Sequence, residues 1–262
     1  MNIGLIGCGN MARAMARGWG RPVLCFDPVS ERAEALAREC TGEALASGIA
    51  VAQRADLLVL CHKPAQLEQV ARELGPHARA VASILAATPL PALKRAYSEQ
   101  PVYRFLPSLP AEARAGAIVQ AEDPWREREL EAGVGSEELD RQVRDLFAEL
   151  GTLVVLDDGL VDVAMGLMSC APAYLALVAE AQVDAGVRRG LPAAQASALV
   201  TETLAGTAEL LRRREHDTLA LRREVSSPGG TTARGLDALE RGGLRAAFSD
   251  ALDAALGEGA PQ

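Results

Sequence analysis

Residues 2–12 read Asn2-Ile3-Gly4-Leu5-Ile6-Gly7-Cys8-Gly9-Asn10-Met11-Ala12. A short apolar run passes directly into Gly-x-Gly-x-x-Ala, and a helical pattern follows over 10–19. In such a turn the first glycine permits the tight bend and the second lets backbone approach a pyrophosphate. The third position asks only for a small side chain against the strand. The helix N-terminus adds unpaired N–H groups and a positive partial charge. Gly7, Cys8, Gly9, Asn10 and Met11 are therefore the expected phosphate contacts of a dinucleotide, NADPH or NADH. Asp27 closes the second apolar run, 20 positions after Gly7. A carboxylate there can accept both ribose hydroxyls of NADH and repels the 2′-phosphate of NADPH. Asp27-Pro28 is equally a common turn opener, and Arg32, one helical turn on, could still reach a phosphate.

Working outward, apolar runs alternate with helical patterns as far as residue 156. Strands are expected at 2–7, 22–27, 56–61, 80–85, 101–106, 115–120 and 152–156. Helices such as 10–19, 30–40 and 64–74 lie between them, the last opening with Pro64, a residue favoured in a first turn. This alternation marks a parallel sheet with crossover helices. The polar stretch from Glu122 to Glu138 reads as a surface loop or frayed helix. After Asp158 the strand signals stop, and helices are expected at 161–188, 193–214, 218–224, 232–241 and 243–256. The first is apolar round most of its circumference and must be buried on several sides. A domain of about 100 residues offers limited core to bury it, so a dimer is the economical arrangement. The expected fold is an α/β Rossmann-type doubly wound sheet, residues 1–156, followed by an all-α dimerisation and substrate domain, residues 157–262.

The chain has 262 residues, 49% of them hydrophobic, 3% aromatic and 24% charged, with a net charge of −8. The negative balance argues against a nucleic-acid surface, and the scarcity of aromatics leaves little for base stacking. No run approaches the roughly 20 continuous apolar residues of a membrane helix, and no signal peptide is visible. The five cysteines are odd in number and widely spaced, and neither they nor the three histidines have metal-ligand spacing. A cytoplasmic protein with no nucleic-acid or membrane partner and no structural metal is expected.

Ser226-Ser227-Pro228-Gly229-Gly230-Thr231-Thr232 reads as a loop entering a helix. Two glycines allow successive N–H groups to point one way and hold a small carboxylate; an ordinary capped turn is the alternative. Here the chain resembles a known family, the pyrroline-5-carboxylate reductases, which catalyse the last step of proline synthesis. The resemblance rests on Ile6-Gly7-Cys8-Gly9-Asn10-Met11-Ala12, on His62-Lys63-Pro64, and on Arg104 with Pro107, Pro110 and Ala111. It continues through Asp162, Pro172-Ala173-Tyr174, Glu180-Ala181, Asp184-Ala185-Gly186-Val187 and Gly190-Leu191-Pro192. The block Val225 to Thr232, with Gly235, Leu236, Leu239 and Glu240, is its most specific part.

The resemblance implies hydride transfer from NADPH or NADH to the C=N bond of a cyclic imino acid, by a homodimer or a higher oligomer. It places the substrate carboxylate on Ser227, Pro228, Gly229, Gly230 and Thr231, and the ring nitrogen at the hydroxyl of Thr232, the expected catalytic residue. It adds His62, Lys63 and Pro64 to the cofactor site. The chain departs from the family where Ser108-Leu109 replace Asn-Thr, and over Met168-Ser169-Cys170-Ala171. These departures keep open a divergent paralogue that reduces another imine, or one that binds dinucleotide in a sensing role. A 3-hydroxyacid dehydrogenase shares the opening loop, but residues 161–188 contain no lysine of the kind that class carries there.

Overall fold

Leu5, Val59 and Ala82 are wholly buried residues at the centres of three neighbouring strands, and apolar runs of this kind form a sheet covered on both faces. The structure, a computed structural model, describes residues 1–257. In chain order the first elements are β1 (Ile3–Ile6), α1 (Asn10–Trp19), β2 (Leu24–Phe26), α2 (Ser30–Glu39), β3 (Glu43–Ala44), α3 (Gly48–Arg54) and β4 (Leu57–Leu60). There follow α4 (Leu67–Leu74), β5 (Val81–Ser83), α5 (Leu90–Ala96), β6 (Val102–Pro107), β7 (Gly116–Ala121), α6 (Arg126–Glu131), α7 (Glu137–Ala148) and β8 (Gly151–Leu156). Among the described residues only helices follow: α8 (Val161–Met168), α9 (Ala171–Arg188), α10 (Ala193–Arg213), α11 (Thr218–Glu224), α12 (Thr231–Arg241) and α13 (Leu244–Leu256).

The sheet order is β3-β2-β1-β4-β5-β6-β7-β8. The chain reverses direction across the sheet at β1 and β4, the switch point where α/β proteins bind ligands. One apolar layer joins α1, α2 and α7 to the sheet through Met15, Trp19, Leu36 and Phe147. The other joins α3, α4 and α5 through Val51, Leu67, Leu74 and Leu93.

Three features depart from the sequence expectation, and the polar stretch 122–138 takes the helical one of its two expected forms. Strand β3 has only two residues, too few to leave an alternating pattern. Strand β7 runs antiparallel to β6, because the connection 108–115 is shorter than the dozen or so residues of a parallel crossover. The segment 161–188 is two helices, with Ser169-Cys170 between them. Pro172 lacks an N–H and is accommodated only in the first turn of a helix, so the second begins beside it. Within the polar stretch 122–138, residues 126–131 form a short helix, and α7 starts at Glu137 with Ser136 as its cap, its hydroxyl accepting from the Leu139 N–H at 3.1 Å.

The first compact unit runs from Met1 to Pro172 and the second begins at Ala173. Helix α8 belongs to the first, with Val161 buried against Leu106, Val119 and Ala121. In the second unit Ala196 alone is buried among the described residues, while Leu177, Leu199, Leu239 and Phe248 are exposed. By length and composition alone Asp158–Arg188 is long and apolar enough to cross a membrane, a stretch the count of continuous apolar residues does not bring out. It is interrupted at Ser169-Cys170.

The first unit is pinned by aromatics. The Trp19 indole N–H donates to the Leu146 carbonyl at 2.8 Å, its ring meets Phe147 edge-on, and Phe147 stacks on Phe105 at 3.8 Å. Trp19→Ala is expected to cost about 3–5 kcal/mol through the cavity and the orphaned carbonyl. A urea titration would show a lower midpoint with unchanged slope; a loss below about 1 kcal/mol would remove this cluster from the core.

Candidate active site

The turn after β1 is set by Gly7. Its φ is +96°, and a Cβ there would lie 2.8 Å from the Cys61 carbonyl and 2.9 Å from the His62 nitrogen. Only glycine satisfies both the left-handed backbone and that approach. Gly9 is different. Its φ of −74° suits any residue, and a Cβ on it would meet nothing within 4 Å. The fold does not need a glycine there, so the free space is available to a ligand. Gly9 caps α1 without a side-chain hydrogen bond, and the N–H groups of the first turn have no intrahelical partner. Ala12, buried and packed on the sheet, fills the small third position.

Asp27 is nearly buried, and both its oxygens accept backbone N–H groups: Oδ2 from Cys8 at 2.8 Å and Oδ1 from Val29 at 2.9 Å. The carboxylate thus ties the glycine loop to the end of β2 and closes its own turn. The Cys8 side chain lies in the core, and its thiol is pushed up by a hydrogen bond with Cys25 and by burial. Cys8 therefore offers backbone alone.

A cleft of about 470 Å³ opens at this edge of the sheet, bordered by Gly7, Gly9, Asp27, Arg32, His62 and Lys63. Its far wall is one face of the 66–73 segment, with Gln66, Gln69, Val70 and Glu73. The His62 Nδ1 lies 2.9 Å from the Lys63 carbonyl, which leaves Nε2 as an acceptor, buried and without a partner. Burial holds this imidazole below its ordinary pKa, against the opposing hydrogen bond to Lys63. Lys63 is exposed and its N–H donates to Gln66 Oε1 at 3.1 Å, while Pro64 opens a short 3₁₀ turn. Arg32 and Lys63 make no ion pair among the described residues. Open space at Gly9, two free cations and an unpartnered acceptor fit an anionic dinucleotide. The side chains of Asn10, Met11 and Pro64 do not border the cleft.

In the second unit, Ser227–Gly230 is a turn closed by the Gly230 N–H donating to the Ser227 carbonyl at 3.0 Å. Gly229 has a φ of +69°, and a Cβ on Gly230 would meet Ser227 Oγ at 2.4 Å. Gly230 caps α12 with no side-chain hydrogen bond, so the first-turn N–H groups face outward beside Thr231 and Thr232, both exposed. Arg234 reaches back to the Gly229 carbonyl at 2.7 Å and braces the turn. The arrangement presents several donors and two hydroxyls to a small anion.

The departures from the family pattern have local roles. Ser108 is buried, exchanging hydrogen bonds with Ala117 through its backbone and hydroxyl, whereas Leu109 is exposed. Ser169 donates its hydroxyl to the Pro107 carbonyl at 3.3 Å. Gln66, Gln69 and Glu73 are not anticipated from the sequence, although their spacing of three and four puts them on one helical face.

Comparison with known proteins follows this division of the chain. Residues 158–260 match the family model described as pyrroline-5-carboxylate reductase dimerisation, and residues 2–87 match that described as NADP oxidoreductase coenzyme F420-dependent. A pyrroline-5-carboxylate reductase of Thermus thermophilus is 35% identical, over 99% of this chain and 97% of its own. The structure of 1-pyrroline-5-carboxylate reductase from Streptococcus pyogenes superposes with a TM-score of 0.85 at 29% identity, covering 98% of this chain and 96% of that one. A Plasmodium falciparum pyrroline carboxylate reductase, solved with NADP bound, shares the fold with a TM-score of 0.84 at 23% identity, over 98% and 95% of the two chains. With a glycine loop and a Ser-Pro-Gly-Gly turn built as described, and relatives aligned end to end, this chain belongs to the pyrroline-5-carboxylate reductase family.

Proposed function

We propose that the chain reduces the C=N bond of pyrroline-5-carboxylate to give proline, using NADPH or NADH, as a homodimer in the cytoplasm. The observation that carries this reading is the end-to-end match to reductases of that substrate in a chain keeping both anion-holding turns. Five free thiols suit a reducing compartment. The exposed leucines of the second unit, within the segment matched to a dimerisation model, suit burial against a second copy.

When bound, the reduced nicotinamide supplies the hydride. The chain supplies binding and orientation. Gly9, Asn10 and Met11 offer backbone N–H groups to the pyrophosphate, aided by the α1 dipole, while Gly7 and Cys8, their N–H groups held by Phe26 and Asp27, shape the loop that the phosphates lie against. His62 and Lys63 line the same crevice, with Pro64 turning the chain away after them. The turn Ser227–Thr231 and the first turn of α12 take the substrate carboxylate. Thr232 sets its hydroxyl at the ring nitrogen. A protonated imine is already an electrophile: its carbon accepts the hydride while the π pair moves to nitrogen, which keeps its proton. No side-chain base is needed, and fixed orientation can lower the barrier substantially.

Asp27 enters as a brace on the glycine loop, each oxygen accepting one backbone N–H, and its remaining lone pairs can still take a ribose hydroxyl. Arg32, free on the same cleft, then tips the choice toward NADPH.

Steady-state assays with pyrroline-5-carboxylate and each nucleotide test the reading directly. Nucleotide bound without turnover of any cyclic imine would favour the sensing paralogue instead. In nucleotide titrations, Gly9→Val should fold normally yet lose measurable binding, as the side chain fills the open space. Asp27→Ser should weaken NADH and NADPH by a common factor, about tenfold for the loss of charged hydrogen bonds. A selective gain for NADPH would return Asp27 to the ribose.

On the substrate side, Gly230→Val should raise KM for the imino acid without changing nucleotide affinity. Thr232→Ala should lower kcat/KM by a factor corresponding to about 1–3 kcal/mol, and Thr232→Ser should restore most of it. Undiminished turnover in Thr232→Ala would remove its assigned role. Sedimentation should find a dimer at micromolar concentration; a stable folded monomer would contradict the assembly.

A further inference from the structure

Arg104 lies in the middle of β6 with its side chain fully buried. One η nitrogen donates to Asp158, at 2.7 Å to Oδ1 and 3.1 Å to the carbonyl, and the other donates to Asp162 Oδ1 at 2.8 Å. Neither carboxylate is used up by the guanidinium. Asp162 Oδ1 also accepts the Ala87 N–H at 3.1 Å, and Asp158 Oδ2 accepts the Leu90 N–H at 2.9 Å. Two backbone amides flanking Thr88-Pro89 are thus tied, through two carboxylates, to one buried cation. Ala87 has a φ of +50°, a left-handed conformation that alanine adopts rarely, and Thr88 Oγ1 donates to the Ala86 carbonyl at 3.0 Å.

This loop leaves the carboxyl end of β5, next to the end of β4 that carries Cys61, His62 and Lys63. The cleft's border at Asp27, Val29 and Arg32 lies at the β2 end. A dinucleotide crossing the switch point therefore has its adenosine half on the β2 side and its nicotinamide half toward β5. An apolar side chain at 104 would avoid the desolvation cost of a buried charge, but could not hold two carboxylates aimed at the loop.

We propose that Arg104 is a positioning residue for the nicotinamide half of the cofactor: through Asp158 and Asp162 it sets the backbone of 86–90. It touches no reacting atom. The proposal rests on the dinucleotide reading above.

The test compares a dinucleotide with its adenosine-side fragment on the full chain. NADPH is paired with 2′-phospho-ADP-ribose, or NADH with ADP-ribose, using whichever pair the parent binds more tightly. Asp162 is partly exposed and Asp158 still pairs with the guanidinium, so Asp162→Ala is the milder change, and Arg104→Met is the direct one. Both should raise the Kd of the dinucleotide about three- to tenfold, as for lost oriented hydrogen bonds, and leave the fragment's Kd within about twofold. Hydrogen exchange should quicken at the Ala87 and Leu90 amides. Asp162→Asn, which keeps an acceptor for Ala87, should recover most of the dinucleotide affinity. Should Arg104→Met fail to fold, Asp162→Ala and Asp158→Ala decide the matter. Dinucleotide and fragment weakened by the same factor, or neither weakened, would overturn the positioning role and leave the cofactor reading standing. A parent that binds neither nucleotide overturns both.

Discussion

A Cβ on Gly7 would lie 2.8 Å from the Cys61 carbonyl, and the residue's φ of +96° suits no other side chain. The turn after β1 is therefore pressed onto the segment leaving β4, while the Gly7 N–H is held by the Phe26 carbonyl at 2.9 Å and the Cys61 N–H by the Ile6 carbonyl at 2.8 Å. Three strand ends are locked together by that contact. It fixes where α1 begins, and so where its unpaired N–H groups converge. Asp27 adds the remaining tie through the Cys8 N–H. The cleft exists because these three segments cannot move apart independently.

The carboxyl edge is organised on the same plan further along the sheet. At β2 a carboxylate, Asp27, holds backbone N–H groups, and beyond β5 two carboxylates do so with Arg104 behind them. Acidic side chains here serve as acceptors that shape loops. That use gives loop amides that no strand or helix pairs a fixed acceptor.

The second unit follows a different logic. Its helices bury almost nothing internally, and Leu177, Leu199, Leu239 and Phe248 remain exposed in the single chain. Helices with apolar residues on several faces gain little stability from propensity alone. In the proposed dimer that surface would be buried against a second copy.

Much of this was legible in the residues themselves. The glycine loop, the helices at 10–19 and 218–224 and the helical character of the described residues after Asp158 follow from periodicity, from positive-φ demands and from proline chemistry, all of which act within a few residues. The two-residue β3 left no pattern, and the antiparallel β7 required measuring a connection against a crossover. The break near Ser169 was written in Pro172 but masked by the apolar run around it. What only the tertiary structure decided was which partners the charged residues chose. Asp27 in sequence could hold a ribose or open a turn, and Arg104 and Asp162 were no more than matched positions. Their hydrogen bonds span 19, 58 and 75 residues, and contacts at that separation depend on how the sheet brings strand ends together rather than on any local pattern.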